Sequence, residues 1–339
     1  MKVLIYFENE KAIRKSGIGR AMRHQMKALD LAHQDYTINK KDHFDMAHIN
    51  TLYLNSHRLL NKCRKKKIPA IVHGHSTFED FRDSFALWKV LSIYYYHQIK
   101  VMYKNADAII TPTEYSKKLI ESYGYGKKVY SCSNGINIDE YAHSEDKIKA
   151  FKERFQINDN QKVIIGVGLL FERKGLPDFI EIAREFPDIK FIWFGSLPKI
   201  AQTNVIKKAI KHKPDNVIFP GYIDNDIIKG AYQYAELFLF PTKEETEGIV
   251  VLESLASRCV TLVRDIGVFD PWLEDNKNCY KAKTKQEFVD KIKYILSHDN
   301  SEVIENGYQL VKERSIDKVG ERLKNIYEEI YQDYQSKLK

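Results

Sequence analysis

Short apolar runs separated by helix-length amphipathic stretches recur along this chain, and that alternation confines it to folds built on a parallel sheet. In the first half the runs are Val3–Phe7, Met46–Ile49, Ala70–Val72, Ala108–Thr111 and Val129–Cys132. Helical patterns lie between them at Arg20–Ala32 and Tyr115–Ser122. The Asn134-Gly135-Ile136-Asn137 turn closes this half, because Asn and Gly tolerate positive φ. After a charged helical stretch at Asp146–Phe155 the rhythm restarts. Its strands are Val163–Val167, Lys190–Phe194, Asn216–Phe219, Leu237–Phe240 and Thr261–Arg264. Its helices are Leu176–Glu185, Asn225–Tyr234, Val250–Ser257 and Lys285–Ser297. The pattern predicts an α/β chain of two successive doubly wound units, joined near residues 140–160. A last helix, Asp317–Leu338, carries Val319, Leu323, Ile326, Tyr327 and Ile330 on one face.

At 339 residues the chain is long for one hydrophobic core, which agrees with two domains. No run of eighteen apolar residues predicts a transmembrane helix, and the short N-terminal apolar run fits a first strand better than a signal peptide. The four cysteines (Cys63, Cys132, Cys259, Cys279) have no metal-like spacing, and the expected compartment is the cytosol. A net charge of +8 points to an anionic partner: nucleic acid, an anionic membrane or a phosphorylated ligand.

The segment Glu245-Thr246-Glu247-Gly248-Ile249-Val250-Val251-Leu252-Glu253 follows the strand Leu237–Phe240. It puts Glu245 on a loop at the strand's carboxyl end and Glu253 in the following helix. Ligands of open α/β sheets bind in that crevice, and two acceptor side chains there suit a ligand rich in hydroxyls. An acidic helix start on the surface has the same pattern. Gly166–Gly175 contains Arg173 and Lys174 at a strand–loop–helix junction, where the pair can neutralise a diphosphate; a solvated basic loop is the plain alternative. Gly17 and Gly19 in Ser16–Arg20 let the backbone approach a ligand at a helix start, or mark an ordinary turn. His75, in His73–Thr77 at a strand end, can exchange a proton or bond a sugar hydroxyl, or be structural. No third ligand supports zinc. Asp224-Asn225-Asp226 reads as a helix cap rather than a metal site, so no metal is expected.

Residues 58–67 hold six basic residues and no acid, ending in Lys65, Lys66 and Lys67. Phe81, Phe85, Trp88, Tyr95, Ile99 and Met102 then recur at helical spacing. A core-facing helix gives the same stripe, but beside a basic cluster it suits an anionic bilayer. No nucleic-acid module is recognisable, so no nucleic-acid partner is expected.

Taken in order, Ser16–Arg20, Asp45–Asn50, His75, Asn134–Asn137, Glu172–Gly175, Gly221–Ile223 and Glu245–Glu253 resemble the retaining GT-B glycosyltransferases with a Glu-x7-Glu signature. The resemblance implies two Rossmann-like domains facing a central cleft: an acceptor and membrane domain at 1–150 and a nucleotide-sugar domain at 151–316. It also implies that residues 317–339 cross back to the first domain. Catalytic roles would fall to His75, Glu245, Lys174 and Arg173. Donor contacts would come from Gly17, Gly19, Gly168, Ile223, Thr246, Glu247, Gly248, Ile249 and Glu253, with Glu253 on the ribose. Where the family commonly has Gly-Arg, this chain has Gly168-Leu169, and Arg173 stands in for that charge.

The finer resemblance, carried by Phe7–Glu10, Ser16–Arg20, His73–Phe81, Phe171–Gly175 and Glu244–Glu253, is to bacterial glycolipid synthases. These extend monoglucosyldiacylglycerol to the diglycosyl lipid that can anchor lipoteichoic acid. The expectation is a metal-independent retaining hexosyltransferase without cofactor, using UDP-glucose or UDP-galactose on a glycolipid acceptor. It would sit at the inner face of the plasma membrane, touching it through Lys65, Lys66, Lys67, Phe85, Trp88 and Tyr95. Alternatives are transfer to diacylglycerol itself or to a soluble or protein acceptor, and a non-catalytic nucleotide-sugar or membrane-binding module. An epimerase on the same architecture is disfavoured by the Glu-x7-Glu pair.

Overall fold

A computed structural model describes residues 1–9, 17–81 and 88–338. The described chain forms two compact units, each with one six-stranded sheet in which every pairing is parallel. One unit comprises Met1–Phe81, Lys89–Asn137 and Arg314–Lys339; the other is built mainly from Ile138–Glu313.

The strands of the first unit are β1 (Val3–Tyr6), β2 (Tyr36–Thr37), β3 (Met46–Ile49), β4 (Ala70–His73), β5 (Ala108–Thr111) and β6 (Lys128–Ser131), in the order β2-β1-β3-β4-β5-β6. Side chains alternate across the sheet. Leu4, Tyr6, Ala47, Ile49, Ala70, Val72 and Ile109 enter one apolar cluster. Val3, Ile5, Met46, Ile71, Ala108 and Ile110 enter a second, on the other face. Burial on both sides explains why these strands read as continuous apolar runs. The first cluster takes in Leu59, Leu60 and Cys63 from the helix Leu54–Lys65, and Ile99, Met102 and Tyr103 from Trp88–Asn105. The second is covered by Ala28 and Leu29 of the helix Gly17–Leu31 and by Ile316, Val319, Leu323, Ile326, Tyr327 and Ile330 of Ile316–Leu338. The last helix is thus part of the first unit's core.

The second unit contains β7 (Val163–Val167), β8 (Lys190–Phe194), β9 (Val217–Ile218), β10 (Leu237–Phe240), β11 (Thr261–Arg264) and β12 (Tyr280–Ala282), in the order β12-β11-β10-β7-β8-β9. The chain winds outward from β7 to β9, then returns to lay β10 against β7 and winds out the other way. That reversal is the topological switch point of the sheet, where neighbouring loops diverge and leave room for a ligand. Phe179, Phe191, Trp193, Leu237, Leu239, Leu262 and Phe288 are among the side chains packed in this core.

Six of the ten anticipated strands keep their bounds and the other four shift at their ends. β2 and β12 are additional edge strands of two and three residues. Neither is long enough to register as an apolar run.

Gly320 sits where the last helix crosses Gly17–Leu31, and a Cβ there would run into the Ala28 carbonyl. Overpacking of this kind costs about 1–3 kcal/mol. Gly320→Ala is expected to lower stability by about 2 kcal/mol in denaturant titrations; an unchanged midpoint would contradict the close docking of that helix.

Candidate active site

At the switch point of the second unit, the loop after β7 and the loop after β10 are stitched together. The first continues from Gly168 into a short 3-10 turn, Glu172–Lys174, and then into the helix Leu176–Ala183. Gly175 joins turn to helix at φ 77°, and a Cβ there would collide with the Pro241 carbonyl. Glycine is therefore required twice over, by conformation and by close approach. The Arg173 carbonyl accepts from the Lys243 amide at 2.6 Å, and the Arg173 guanidinium donates to the Glu244 carbonyl at 3.2 Å. Next to this, the Lys174 ammonium pairs with Glu245 Oε1, which also accepts from the Thr242 hydroxyl at 2.9 Å. The Lys174 side chain is 16% exposed and that of Glu245 7%, so the pair is largely dry.

Beyond Glu245, Glu247 is buried and Thr246 partly so. Gly248 takes φ 86° ahead of the helix Ile249–Ala256. Glu253 lies inside that helix at 1% exposure, and the Tyr232 hydroxyl, 3.3 Å away, donates to its Oε2. The two carboxylates are thus anchored separately, one across the sheet by Lys174 and one by a neighbouring helix. Gly168 is fixed by Trp193, whose indole N–H donates to its carbonyl at 2.8 Å. Ile223 is buried, while the adjacent Tyr222 is exposed. Asp224 caps the helix Asn225–Tyr234 by accepting from the Asp226 amide at 2.8 Å. Among the described residues, no group of three or more His, Cys, Asp or Glu is arranged to hold a metal.

In the first unit, His75 follows β4, and its Nε2 lies 3.2 Å from Asn50 Oδ1 after β3. Its ring stacks on His73 at 3.8 Å between centroids. His73 Nδ1 in turn meets His48 Nε2 at 3.1 Å. Burial pushes the His48 and His75 imidazoles down to about 3 and His73 well below its ordinary value, so all three are neutral near pH 7. Gly19 is buried and Gly17 exposed at the start of their helix; Ser16 lies outside the described residues.

Lys65, Lys66 and Lys67 are exposed at the end of the helix Leu54–Lys65. The aromatic stripe is divided. Phe85 lies outside the described residues, Trp88 is half-buried, and Tyr95, Ile99 and Met102 pack into or against the core. The exposed apolar face of that helix is instead Leu91, Ile93 and Tyr94, with Ile93 77% exposed. The three-and-four spacing had picked out the inward face.

Sequence reasoning did not single out Thr242, Trp193 or Tyr232, whose hydrogen bonds join distant segments and leave no local pattern. It named His73 and Asp45–Asn50 without roles. The alternation His48-x-Asn50 and His73-x-His75 was the available signal, since positions two apart on a strand share a face.

Removing one partner of a dry ion pair costs about 3–5 kcal/mol, whereas removing both is far milder. Lys174→Met alone is therefore expected to destabilise the chain by about 3 kcal/mol, and Lys174→Met with Glu245→Gln by roughly 1 kcal/mol or less, in denaturant midpoints. Additive losses would contradict the pairing. Acid gives a second test. His48 binds no proton in the folded state until about pH 3, whereas its unfolded counterpart does so from about 6.5, so stability present above pH 6.5 falls as pH drops through that window. Between pH 7 and 5 His48 alone accounts for a loss of about 2 kcal/mol. Urea midpoints that stay flat over this range would contradict a neutral buried His48.

Residues 147–324 match the family Glycosyl transferases group 1, and residues 12–140 match Glycosyltransferase Family 4. The chain is 49% identical over 331 residues to the processive diacylglycerol alpha-glucosyltransferase of Acholeplasma laidlawii, covering 97% of this chain and 98% of that one. It is 25% identical to the alpha-galactosylglucosyldiacylglycerol synthase of Streptococcus pneumoniae, over 80% of this chain and 74% of that one. Among solved structures, Anabaena HepE in complex with UDP-glucose has the same fold, with a TM-score of 0.77 at 14% identity over 97% of this chain and all of that one. The chain belongs to the glycosyl transferases group 1 family and is a GT-B glycosyltransferase.

Proposed function

We propose that this chain transfers glucose from UDP-glucose to diacylglycerol-based lipids at the cytoplasmic face of a membrane, with retention of configuration and without a metal. The observation that carries this reading is the 49% identity, over nearly both full lengths, to a protein named as a processive diacylglycerol glucosyltransferase. The preferred acceptor is monoglucosyldiacylglycerol, giving the diglycosyl lipid. Diacylglycerol itself is the second reading, favoured by that relative's name. Glucose rather than galactose is favoured because the relative named for galactosyl transfer is only 25% identical.

Lys174 and Arg173 are the cations assigned to the departing diphosphate, where negative charge grows as the bond from sugar C1 to phosphate oxygen breaks. The acceptor oxygen bonds to C1 on the same face, and its proton passes to the departing phosphate. Glu245 and the Thr246–Ile249 backbone are assigned to the donor sugar, Glu253 to the ribose, and the family resemblance assigns His75 to the transferred sugar. Gly17, Gly19, Gly168 and Ile223 complete the donor contacts. Exposed Leu91, Ile93 and Tyr94, with Lys65, Lys66 and Lys67, supply the apolar and basic groups for an anionic lipid surface. No described helix is long and apolar enough to cross a membrane, which suits peripheral attachment.

Incubation with UDP-glucose or UDP-galactose and each lipid in turn tests the reaction. Diglucosyl lipid from UDP-glucose and monoglucosyldiacylglycerol is expected, with product falling at least about a hundredfold in Glu245→Gln. No glycosylation of either lipid would overturn the reading. Liposome flotation tests attachment. Replacing Lys65, Lys66 and Lys67 by Ser is expected to weaken partition onto anionic vesicles by about 3 kcal/mol, roughly a hundredfold, at about 1 kcal/mol per lysine. Equal flotation of parent and variant would remove these lysines from the membrane surface.

A further inference from the structure

Within the first unit a small cavity is lined by Gln25, Asn50, His73, His75, Val319 and Leu323, among others. About 10 Å³ of it is open to the centre of a water-sized sphere, room for a single oxygen atom. Two of its lining residues, Gln25 and His73, are 6% and 5% exposed. Gln25 Oε1 and His73 Nε2 are both buried and have no hydrogen-bond partner among the described residues. Buried polar atoms are rarely left this way, and two from residues lining the same cavity point to a ligand.

The hydrogen-bond chain behind them fixes what that ligand must be. Gln25 Nε2 and the Tyr327 hydroxyl approach His48 Nδ1 at 2.9 and 2.7 Å. An amide nitrogen only donates, so His48 Nδ1 accepts and its proton sits on Nε2. That proton is donated to His73 Nδ1, 3.1 Å away. His73 therefore carries its own proton on Nε2. Gln25 offers an acceptor at the same cavity. Turning the amide over and reversing the chain exchanges the roles and again leaves one donor and one acceptor. A cation or a carboxylate could satisfy only one of them. A hydroxyl satisfies both.

We propose that Gln25 and His73 form a binding site for one hydroxyl group, immediately beside His75. The hydroxyl belongs either to water or to a sugar. The His73 ring that would hold it is the ring on which His75 stacks, so the site lies one ring away from His75.

Crystal structures of the full chain, free and with octyl α-glucoside, test this without requiring catalysis. One ordered oxygen within hydrogen-bonding reach of both Gln25 and His73 is expected in the free protein. In the glucoside complex, a sugar oxygen at that position makes the sugar the source, and a retained water makes solvent the source. No ordered oxygen between the two side chains in either crystal would overturn the proposal. His73→Phe keeps a ring for the stack and removes both nitrogens, so the bridging oxygen should be lost; its persistence would also overturn the assignment.

Discussion

Two parallel strands joined through a crossover leave their connecting loops covered by helices, except where the winding reverses. In the second unit that exception is the boundary between β7 and β10, and the local chemistry depends on it. Loops that start on adjacent strands there come within bonding reach although their residues are far apart in the chain. The Arg173 carbonyl on the Lys243 amide and Lys174 on Glu245 are the direct consequence. Gly175 lets the β7 loop press against Pro241 closely enough for those bonds to form.

The same pairing sets the electrostatics of the site. A largely dry lysine beside a carboxylate is held in place before any ligand arrives, and the Thr242 hydroxyl fixes the carboxylate from the other side. Such preorganisation lowers the reorganisation needed when charge develops nearby. It also means that an anion approaching Lys174 meets Glu245 as a competitor. A neutral, hydroxyl-rich group suits Glu245, and a phosphate suits Lys174. In the proposed reaction the pair distinguishes the two ends of a sugar–phosphate donor over a short distance.

Much of this was legible in the sequence because burial on both faces writes strands as unbroken apolar runs such as Val163–Val167 and Leu237–Phe240. Edge strands carry no such mark, which is why Tyr36–Thr37 and Tyr280–Ala282 escaped notice. Lys174, Glu245 and Glu253 could be singled out because each sits at a fixed offset from a strand or glycine. Thr242, Trp193 and Tyr232 could not, because their partners lie in other segments and only folding brings them together. The aromatic stripe shows a different limit. Helical spacing finds a face, but the core and a lipid surface ask for similar side chains, and only the burial of Ile99, Met102 and Tyr103 in one cluster with the sheet tells which face turned inward.

The course of the chain through its two units has a consequence for synthesis. Ile136 exchanges backbone hydrogen bonds with Arg314 and Ile316, so the outgoing and returning segments run side by side at the edge of the first unit. Everything from Ile138 to Glu313 is in effect an insertion. A growing polypeptide therefore completes the second unit while one face of the first sheet, carrying Val3, Ile5, Ile71 and Ile110, still lacks one of its two covering helices. That face closes fully only when Ile316–Ile330 have left the ribosome. The first unit is begun first and finished last, and a chain cut before Ile316 would leave that apolar face without this helix.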